Sequence, residues 1–539
     1  MLLAAATGAA ADNAAGNRPA GAPGTPGPAA MEPAAPDMAV PRFTIRRFIV
    51  RNSTLLSADE LSAAVAPYEG PDKDLGDVQK AMEALEEGYR DRGFSSVSVY
   101  LPEQELKDGE VVLIAVEGRF SRIDVDGNRF FTRDNIERSF PTLKAGGFPR
   151  VHEISRNLRV VNENPAKRVT LQLLGGDRED EVIARLKVAD EKQWKAGLTG
   201  DNSGTGQTGD YRLGILLQHF NLHDRDHVAS FQYVTSPDHA DSVNSVSASY
   251  RVPLYALGDS LDLFAGYSDV NADLAVSGYS LKTNGKGVVT GLRYNHALMR
   301  YAEYSQNLVA GFDYRLYDNQ LNSADSSSNL MQKSRQLLHP LSLTYNGTYA
   351  LEQGEASLTV GGAYNIPWGS YGEKKDFPEG TAADYFVLRY GTSLVYAAPA
   401  DLQIRLLFNG QYSSRNLVSY EQFGLGGANA GRGYVERAAA GTSGCSGTAE
   451  VYSPDIARLL SLKDTQFRLV AFYDDGYVGN PAPSDGGTGR IRLASAGGGF
   501  RFSLAASCTV STDVGVTLNS IGGVSGGDVR AHVKAAFIY

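Results

Sequence analysis

Long apolar runs are missing from this 539-residue chain: none approaches the ~18–20 residues that a membrane-spanning helix needs. Mean hydropathy is correspondingly low, at −0.25. A helical membrane protein is thereby excluded. A membrane β-barrel is not, because only every second residue of its strands has to be apolar. Cysteine is almost absent, with only Cys445 and Cys508, far apart in the chain. Metal sites draw their ligands from close spacings, so this pair makes no metal centre. A disulfide between them is chemically permitted in an oxidising envelope, but it depends on geometry that spacing leaves open. Basic clusters are missing as well: 51 Lys and Arg face 61 Asp and Glu, for a net charge of −10. A phosphate backbone needs concentrated positive charge, so no nucleic acid partner is expected. Nor is there a nucleophile elbow, Walker loop or HExxH helix. No Ser/His/acid set stands out from the many Ser and Asp residues. No catalytic residue, metal or cofactor is therefore expected, and the chain reads as not an enzyme.

What is abundant is Gly, at 59 residues, and Tyr, at 28, as suits a turn-rich β protein with aromatic girdles. The length would suggest several ordinary domains, but a barrel grows by adding strands rather than cores. The opening MLLAAATGAAA has the short apolar run and Ala-x-Ala sites of a secretory signal's tail, without the basic region that precedes one. Residues 12–41 are rich in Ala, Gly and Pro and read as a linker with polyproline stretches. Residues 1–41 are thus set apart as signal remnant and linker.

Residues 42–119 read as a small α+β domain. FTIRRFIV is a strand, and Ser57 and Glu60 form a capping box ahead of a short helix. Val78, Met82, Leu85 and Tyr89 recur at helical spacing, and Gly93 supplies the stop. SVSVYLP and GEVVLIAVEG are further strands. Residues 120–189 repeat the β-α-α-β-β order, with a helix opening at Thr132 and another carrying Val151, Ile154, Leu158 and Val161 on one face.

From about residue 190 to 539 the helical period gives way to strands of period two. In LVAGFDYRL, Leu308, Ala310, Phe312, Tyr314 and Leu316 alternate with Gly311, Asp313 and Arg315. In the last segment, Val529, Ala531, Val533, Ala535, Phe537 and Tyr539 alternate with Arg530, His532 and Lys534. A soluble sandwich also alternates. Here, however, the polar face holds too many charges for a dry core, and a water-filled lumen would remove that cost. The fold expected is a membrane β-barrel of about sixteen antiparallel strands, preceded by two small α+β domains.

One barrel connection is unusual. Residues 420–454 are far too long for a tight turn and carry Gly431, Arg432, Gly433 and Tyr434 near their middle. Flanking glycines let the backbone turn sharply and pack closely around the arginine. In TQFRLVAFYDDGYV, residues 465–478, Phe467, Leu469, Ala471 and Tyr473 would face lipid; Arg468, Phe472, Asp474 and Gly476 would face the lumen. A lumenal carboxylate can accept an arginine in a bidentate pair. Read blandly, the first segment is an exposed loop and Asp474 an ordinary pore-lining residue. His219, His223 and His227 lie four apart, but strand periodicity puts them at a hairpin turn rather than on one helix face.

Gly431-Arg432-Gly433-Tyr434 followed by Phe472-x-Asp474-x-Gly476 resembles the paired motifs of two-partner secretion transporters, the haemolysin secretion/activation proteins related to BamA-type assembly factors. The resemblance extends over residues 43–539. The repeated α+β units resemble tandem POTRA domains, VVNENPAKRVTLQLLGG resembles a stretch late in the second of them, and GLTGDNSGTGQTGDYRLGILLQHFNL resembles the first barrel hairpin. The family implies POTRA 1 at 42–119, POTRA 2 at 120–189 and a sixteen-strand barrel over 190–539. It also implies a sixth extracellular loop, here about 420–450, folded back into the lumen so that Arg432 meets Asp474, with Gly433, Tyr434, Phe472 and Gly476 in their motif places. It further implies an outer-membrane pore in contact with lipid, its N-terminal domains in the periplasm, exporting and activating a secreted partner protein. Three departures stand out. Gly431 replaces a more usual Val, which would loosen the loop tip. GTSGCSG, with Cys445, replaces an acidic stretch. Residues 12–41 are too rich in Pro and Gly for the plug helix many members carry. The alternatives are a BamA-type assembly factor, a diffusion porin and a barrel hydrolase.

Overall fold

The computed structural model describes residues 41–539 apart from 205–207, 241–242, 270–271, 277–278, 284–285, 322–331, 482–488 and 506. The expected signal remnant and linker lie, but for Pro41, outside the described residues.

The N-terminal unit contains β1 (Phe43–Ile45), β2 (Arg47–Arg51), α1 (Ala58–Val65), β3 (Gly70–Lys73), α2 (Leu75–Asp91), β4 (Val97–Tyr100) and β5 (Glu110–Glu117). The FTIRRFIV strand divides at Arg46. β1 pairs with β3, while β2 runs parallel to β5, which also pairs with β4. Ser57 and Glu60 close a reciprocal capping box on α1, satisfying donors that the first turn leaves open. On α2 the buried stripe is Val78, Ala81, Leu85 and Tyr89, with Met82 at its margin. Gly93, at φ 87°, ends the helix in the left-handed region. Glu117 is buried but satisfied: its carboxylate accepts the Thr54 and Leu55 amides at 2.6 and 2.9 Å and the Tyr89 hydroxyl at 3.3 Å.

The next α+β segment comprises β6 (Arg119–Asp126), α3 (Arg133–Arg138), α4 (Val151–Val161), β7 (Lys167–Gly175) and β8 (Glu181–Asp190). Its sheet has the order β6-β8-β7. Thr132 caps α3. On α4 the buried residues are Ile154, Asn157, Val160 and Val161, while Val151 is exposed, so the packed face includes a polar residue that an apolar count passes over.

The barrel begins with β9 (Trp194–Asp201), β10 (Arg212–Leu222), β11 (His227–Thr235), β12 (Asn244–Leu254) and β13 (Asp259–Ser268). A hairpin of β14 (Ala272–Val276) and β15 (Tyr279–Thr283) stands outside the barrel sheet. The wall resumes with β16 (Lys286–Ala297), β17 (Tyr304–Leu321), β18 (Gln332–Leu338), β19 (Pro340–Leu351), β20 (Gly354–Asn365), β21 (Phe386–Ala398) and β22 (Leu402–Tyr412). A second inserted hairpin, β23 (Phe423–Leu425) with β24 (Ala439–Gly441), precedes β25 (Ser443–Tyr452). A short helix, α5 (Ile456–Leu459), precedes β26 (Thr465–Gly479), β27 (Arg490–Leu504), β28 (Cys508–Thr517) and β29 (Val529–Ile538). β18 and β19 both pair with β17 and form one strand interrupted at His339, which makes sixteen antiparallel strands. β29 pairs with β9 to close the ring. At that seam the Trp194 and Tyr539 rings lie 5.6 Å apart, and the Lys192 ammonium sits 4.7 Å over Tyr539.

Alternation along the wall is as the period-two pattern requires: Phe312 and Tyr314 are exposed outward while Asp313 between them is buried. The lumenal charges are paired with one another, within and across strands, rather than merely bathed in water. Across strands, Arg251 of β12 meets Asp262 of β13 at 2.7 Å and Arg501 of β27 meets Asp513 of β28 at 2.9 Å; along β17, Arg315 meets Asp313 at 2.6 Å. Cross-strand opposition of unlike charges is the cheapest way to hold them on a crowded inner face.

Within the barrel's unit, α3 and α4 rest on the turns after β10, β12 and β16. Asn135 Nδ2 donates to Asn221 Oδ1 at 3.1 Å, and Asn157 Nδ2 donates to the Tyr255 carbonyl at 2.6 Å. Arg159 donates to the Leu298 and Gln306 carbonyls at 3.1 and 2.8 Å. At the centre, Lys167 Nζ lies 2.5 Å from Asp226 Oδ2, with side chains 0% and 1% exposed. Burial draws the Lys167 ammonium below its ordinary pKa, and Asp226 opposes that shift.

Candidate functional site

The site forms where the long connection between β22 and β25 meets the inner wall. That connection spans residues 413–442; Ser443–Tyr452, part of the stretch expected to be loop, is strand. In β26, Leu469, Ala471, Tyr473 and Tyr477 are exposed, whereas Phe472, Asp474, Gly476 and Val478 are buried, so the motif residues share the inner face. Register then chooses their neighbours. Thr448 of β25 and Ser495 of β27 stand opposite Asp474, and their hydroxyls donate to its carboxylate at 3.0 and 3.3 Å.

Arg432 reaches this wall from the connection. Its Nε and Nη2 donate to the two oxygens of Asp474 at 2.9 and 2.8 Å, and its own amide adds a third bond at 3.1 Å. The guanidinium carbon lies 3.4 Å above the centre of the Phe472 ring. Nη1 donates at 2.6 Å to Glu450, a residue that sequence reasoning did not single out. Glu450 stands opposite Phe472 in the β25–β26 register and also takes the Tyr452 hydroxyl at 2.6 Å and Arg405 at 3.3 Å. The inward parity of AEVYSP could have found it. His532 of β29 was likewise missed; its Nε2 lies 2.9 Å from the Arg432 carbonyl.

The backbone around the arginine explains its glycines. Gly431 has φ 98°, a conformation that a side chain with a Cβ rarely adopts, and its carbonyl accepts the Tyr434 amide at 3.0 Å. The tip is therefore a closed turn rather than a loosened one. Gly433 presses on the wall, where an added Cβ would lie 2.8 Å from the Thr517 amide nitrogen. Tyr434 is 1% exposed, and its hydroxyl donates to the Asn519 carbonyl at 2.7 Å. Gly476 faces Leu425 of the β23–β24 hairpin. The structure thus brings together all seven residues singled out in the two motifs. Arg468 does not join them: it bends to the neighbouring turn and meets Asp401 at 2.8 Å.

Cys445 and Cys508 are both free. Cys445 is the third residue of β25 and Cys508 the first of β28, and in an antiparallel run those strand starts lie at opposite ends of the wall. A disulfide needs Cα atoms within about 7 Å. His219 ends in β10, His223 sits in the turn at φ 56° and His227 opens β11, so the three straddle a hairpin.

Comparison with known proteins gives the same pattern. A family model described as haemolysin secretion/activation protein ShlB/FhaC/HecB matches residues 181–502, and one described as POTRA domain, ShlB-type, matches residues 43–118. The heme/hemopexin transporter protein HuxB of Haemophilus influenzae is 22% identical over 475 residues, which cover 86% of this chain and 81% of that protein. The outer membrane transporter CdiB of Escherichia coli O6:K15:H31 is 24% identical over 404 residues, covering 73% and 66%. Among solved structures, CdiB from Escherichia coli superposes with a TM-score of 0.76 at 21% identity, covering 94% of this chain and 93% of that one.

Proposed function

This chain belongs to the haemolysin secretion/activation family, outer-membrane transporters with periplasmic POTRA domains that export a partner polypeptide, and from that premise we propose how its own residues carry the task. Members of the family are transporters rather than enzymes. The ion pair of Arg432 with Asp474 holds the long connection inside the lumen and sets the conducting shape of the pore. The supporting observation is the geometry of that pair: a bidentate contact of two side chains 3% and 1% exposed, backed by Glu450 and the Phe472 ring.

The partner's entry is read from the sheets. Strand addition needs an edge with free backbone groups. In the β6-β8-β7 sheet, β7 is an edge strand, and its far half exposes Leu173 and Leu174. Backbone bonds along such an edge supply affinity without demanding one sequence, and side chains such as these supply selectivity. Outer membranes hold no ATP, so the driving force is the partner's folding on the far side after an extended passage. The partner is a secreted exoprotein, and bilayer lipid is the barrel's only other partner in this reading. Arg432→Ala tests it: a heat-modifiable, membrane-inserted barrel that no longer exports the partner is expected. Normal export by that variant would sink the role given to the pair.

A further inference from the structure

A groove of about 850 Å³ crosses the lipid-facing side of the barrel from β9 to β16. Its floor follows from register. Ala248 of β12, Ala265 of β13 and Thr290 of β16 stand side by side, all on the outward parity and all exposed. The rows on either side carry larger groups: Tyr250 and Leu263 in one, Val246 and Tyr267 in the other. Phe231, opposite Ala248, closes the trough on the β11 side. The Thr290 hydroxyl is satisfied by the Phe264 carbonyl at 2.8 Å, so the floor is apolar along its length. The groove opens at a polar rim, lined by Trp194 and His219, which stand opposite each other in register. That rim is the periplasmic one: α3 of the second α+β domain bonds the turn that follows, with Asn135 Nδ2 donating to the Asp224 carbonyl at 3.0 Å. The Asn221 amide donates to His219 Nδ1 at 3.2 Å, so the ring carries its hydrogen on Nε2. His227 Nδ1 and the Tyr250 hydroxyl share a hydrogen bond of 2.6 Å. Lys195 is committed to Glu191, at 3.2 Å. Lys192 is not committed to a carboxylate among the described residues; its ammonium lies 5.9 Å from the Trp194 ring and bonds the Tyr539 hydroxyl at 3.3 Å.

We propose that this groove binds one anionic phospholipid of the periplasmic leaflet, with an acyl chain lying over Ala248, Ala265 and Thr290 and the phosphate taking Lys192 and His219 at the rim. Inside a bilayer the hydrophobic effect gives such a groove no advantage, because the lipid that fills it leaves surroundings just as apolar. Selectivity then comes from close packing in the trough and from the headgroup. Trp194 sits where aromatic side chains mark the water boundary, and Lys192 has the flexible stem to bring its charge there. A phosphate answers that charge, whereas the quaternary ammonium of a zwitterionic headgroup opposes it. One lysine near the surface favours the anionic lipid about fivefold. The same reading gives the HFNLHDRDH histidines a place: His219 and His227 sit on the outward face at the membrane boundary, and their spacing serves a hairpin rather than a metal.

The test uses full-length protein carrying Trp368→Phe, which leaves Trp194 as its one tryptophan. It is reconstituted in phosphatidylcholine bilayers containing rising fractions of acyl-brominated phosphatidylglycerol, which quenches tryptophan fluorescence on contact. Quenching should reach half its limit at a mole fraction about fivefold lower than with brominated phosphatidylcholine. Lys192→Gln should remove that preference, and Lys192→Arg should keep it. Ala248→Phe fills the trough from a lipid-facing position and should cut the preference by at least half. Heat-modifiable migration identifies the variants that fold, and Ala265→Phe repeats the test at the neighbouring floor position if Ala248→Phe does not fold. Equal quenching by the two lipids would overturn the proposal, as would a preference that survives either Lys192→Gln or the filled trough. A Trp194 shielded from both lipids would mean that a second copy or another protein covers the groove, and would overturn it as well.

Discussion

Replacing Lys167 with Met should loosen the second α+β domain from the barrel turns it rests on. Lys167 Nζ serves Asp226 at 2.5 Å and Asn135 at 3.0 Å and lies 4.8 Å over the Phe131 ring. Without it, Asp226 keeps only Ser139, at 3.0 Å, and the Tyr255 hydroxyl as donors, in a site 1% exposed to solvent. A buried carboxylate robbed of its cation costs about 3–5 kcal/mol. At 1.4 kcal/mol per tenfold, that is roughly a hundredfold to several-thousandfold rise in local opening. Hydrogen exchange of the Ile154–Val161 amides in lipid-embedded protein reads this directly. Lys167→Met combined with Asp226→Asn should recover at least half of the loss, because the uncompensated charge is then gone. Exchange in the single variant within about threefold of the parent would refute the electrostatic reasoning, since that is under 1 kcal/mol. A double variant as loose as the single one would refute it too.

Glu450→Gln should weaken tip docking by about 1.5–3 kcal/mol, the worth of one charge-assisted bond, and lower export less than Arg432→Ala does, because Asp474 still holds the guanidinium. Asp224 is subject to burial, which raises its pKa, but bonds from Thr132, Asn221 and Arg138 outweigh that and hold it below the ordinary value. A depressed carboxylate stabilises the fold above its unfolded pKa, near 3.9, and that contribution is lost as pH falls through the lower folded value. Exchange of the Arg133–Arg138 amides should therefore quicken below about pH 4 in the parent and show less pH dependence in Asp224→Asn. Oxidation should leave migration on a non-reducing gel unchanged and both cysteines titratable as thiols, because Cys445 and Cys508 sit at opposite ends of the wall.

Much of this architecture is legible in period alone. A strand's inner and outer faces follow from parity, so Phe472, Asp474 and Gly476 could be assigned to the lumen before any register was known. Parity does not say which strand stands opposite which residue. Glu450 is therefore invisible as a partner of Arg432 until the β25–β26 register puts it across from Phe472. The ion pairs of Glu421 with Arg315 and Arg389 are hidden for a similar reason: those arginines come from β17 and β21, far away in sequence. Helix faces mislead where two surfaces compete. α4 buries Asn157 because a barrel turn offers it the Tyr255 carbonyl. The division of FTIRRFIV at Arg46 comes from two different strand partners, β3 and β5, which the apolar pattern does not distinguish.

Passage of the partner chain through the lumen is tested most directly at adjacent residues of β11. Phe231 is exposed on the outer face, while Gln232 stands opposite the inward Ser247. A photo-crosslinking side chain is placed at each position in turn, and export is stalled by fusing a fast-folding domain to the partner. Conduction through the lumen predicts partner adducts from position 232 and none from 231. Equal adducts from both positions, or none from 232 while the stalled chain remains attached to the POTRA domains, would contradict it.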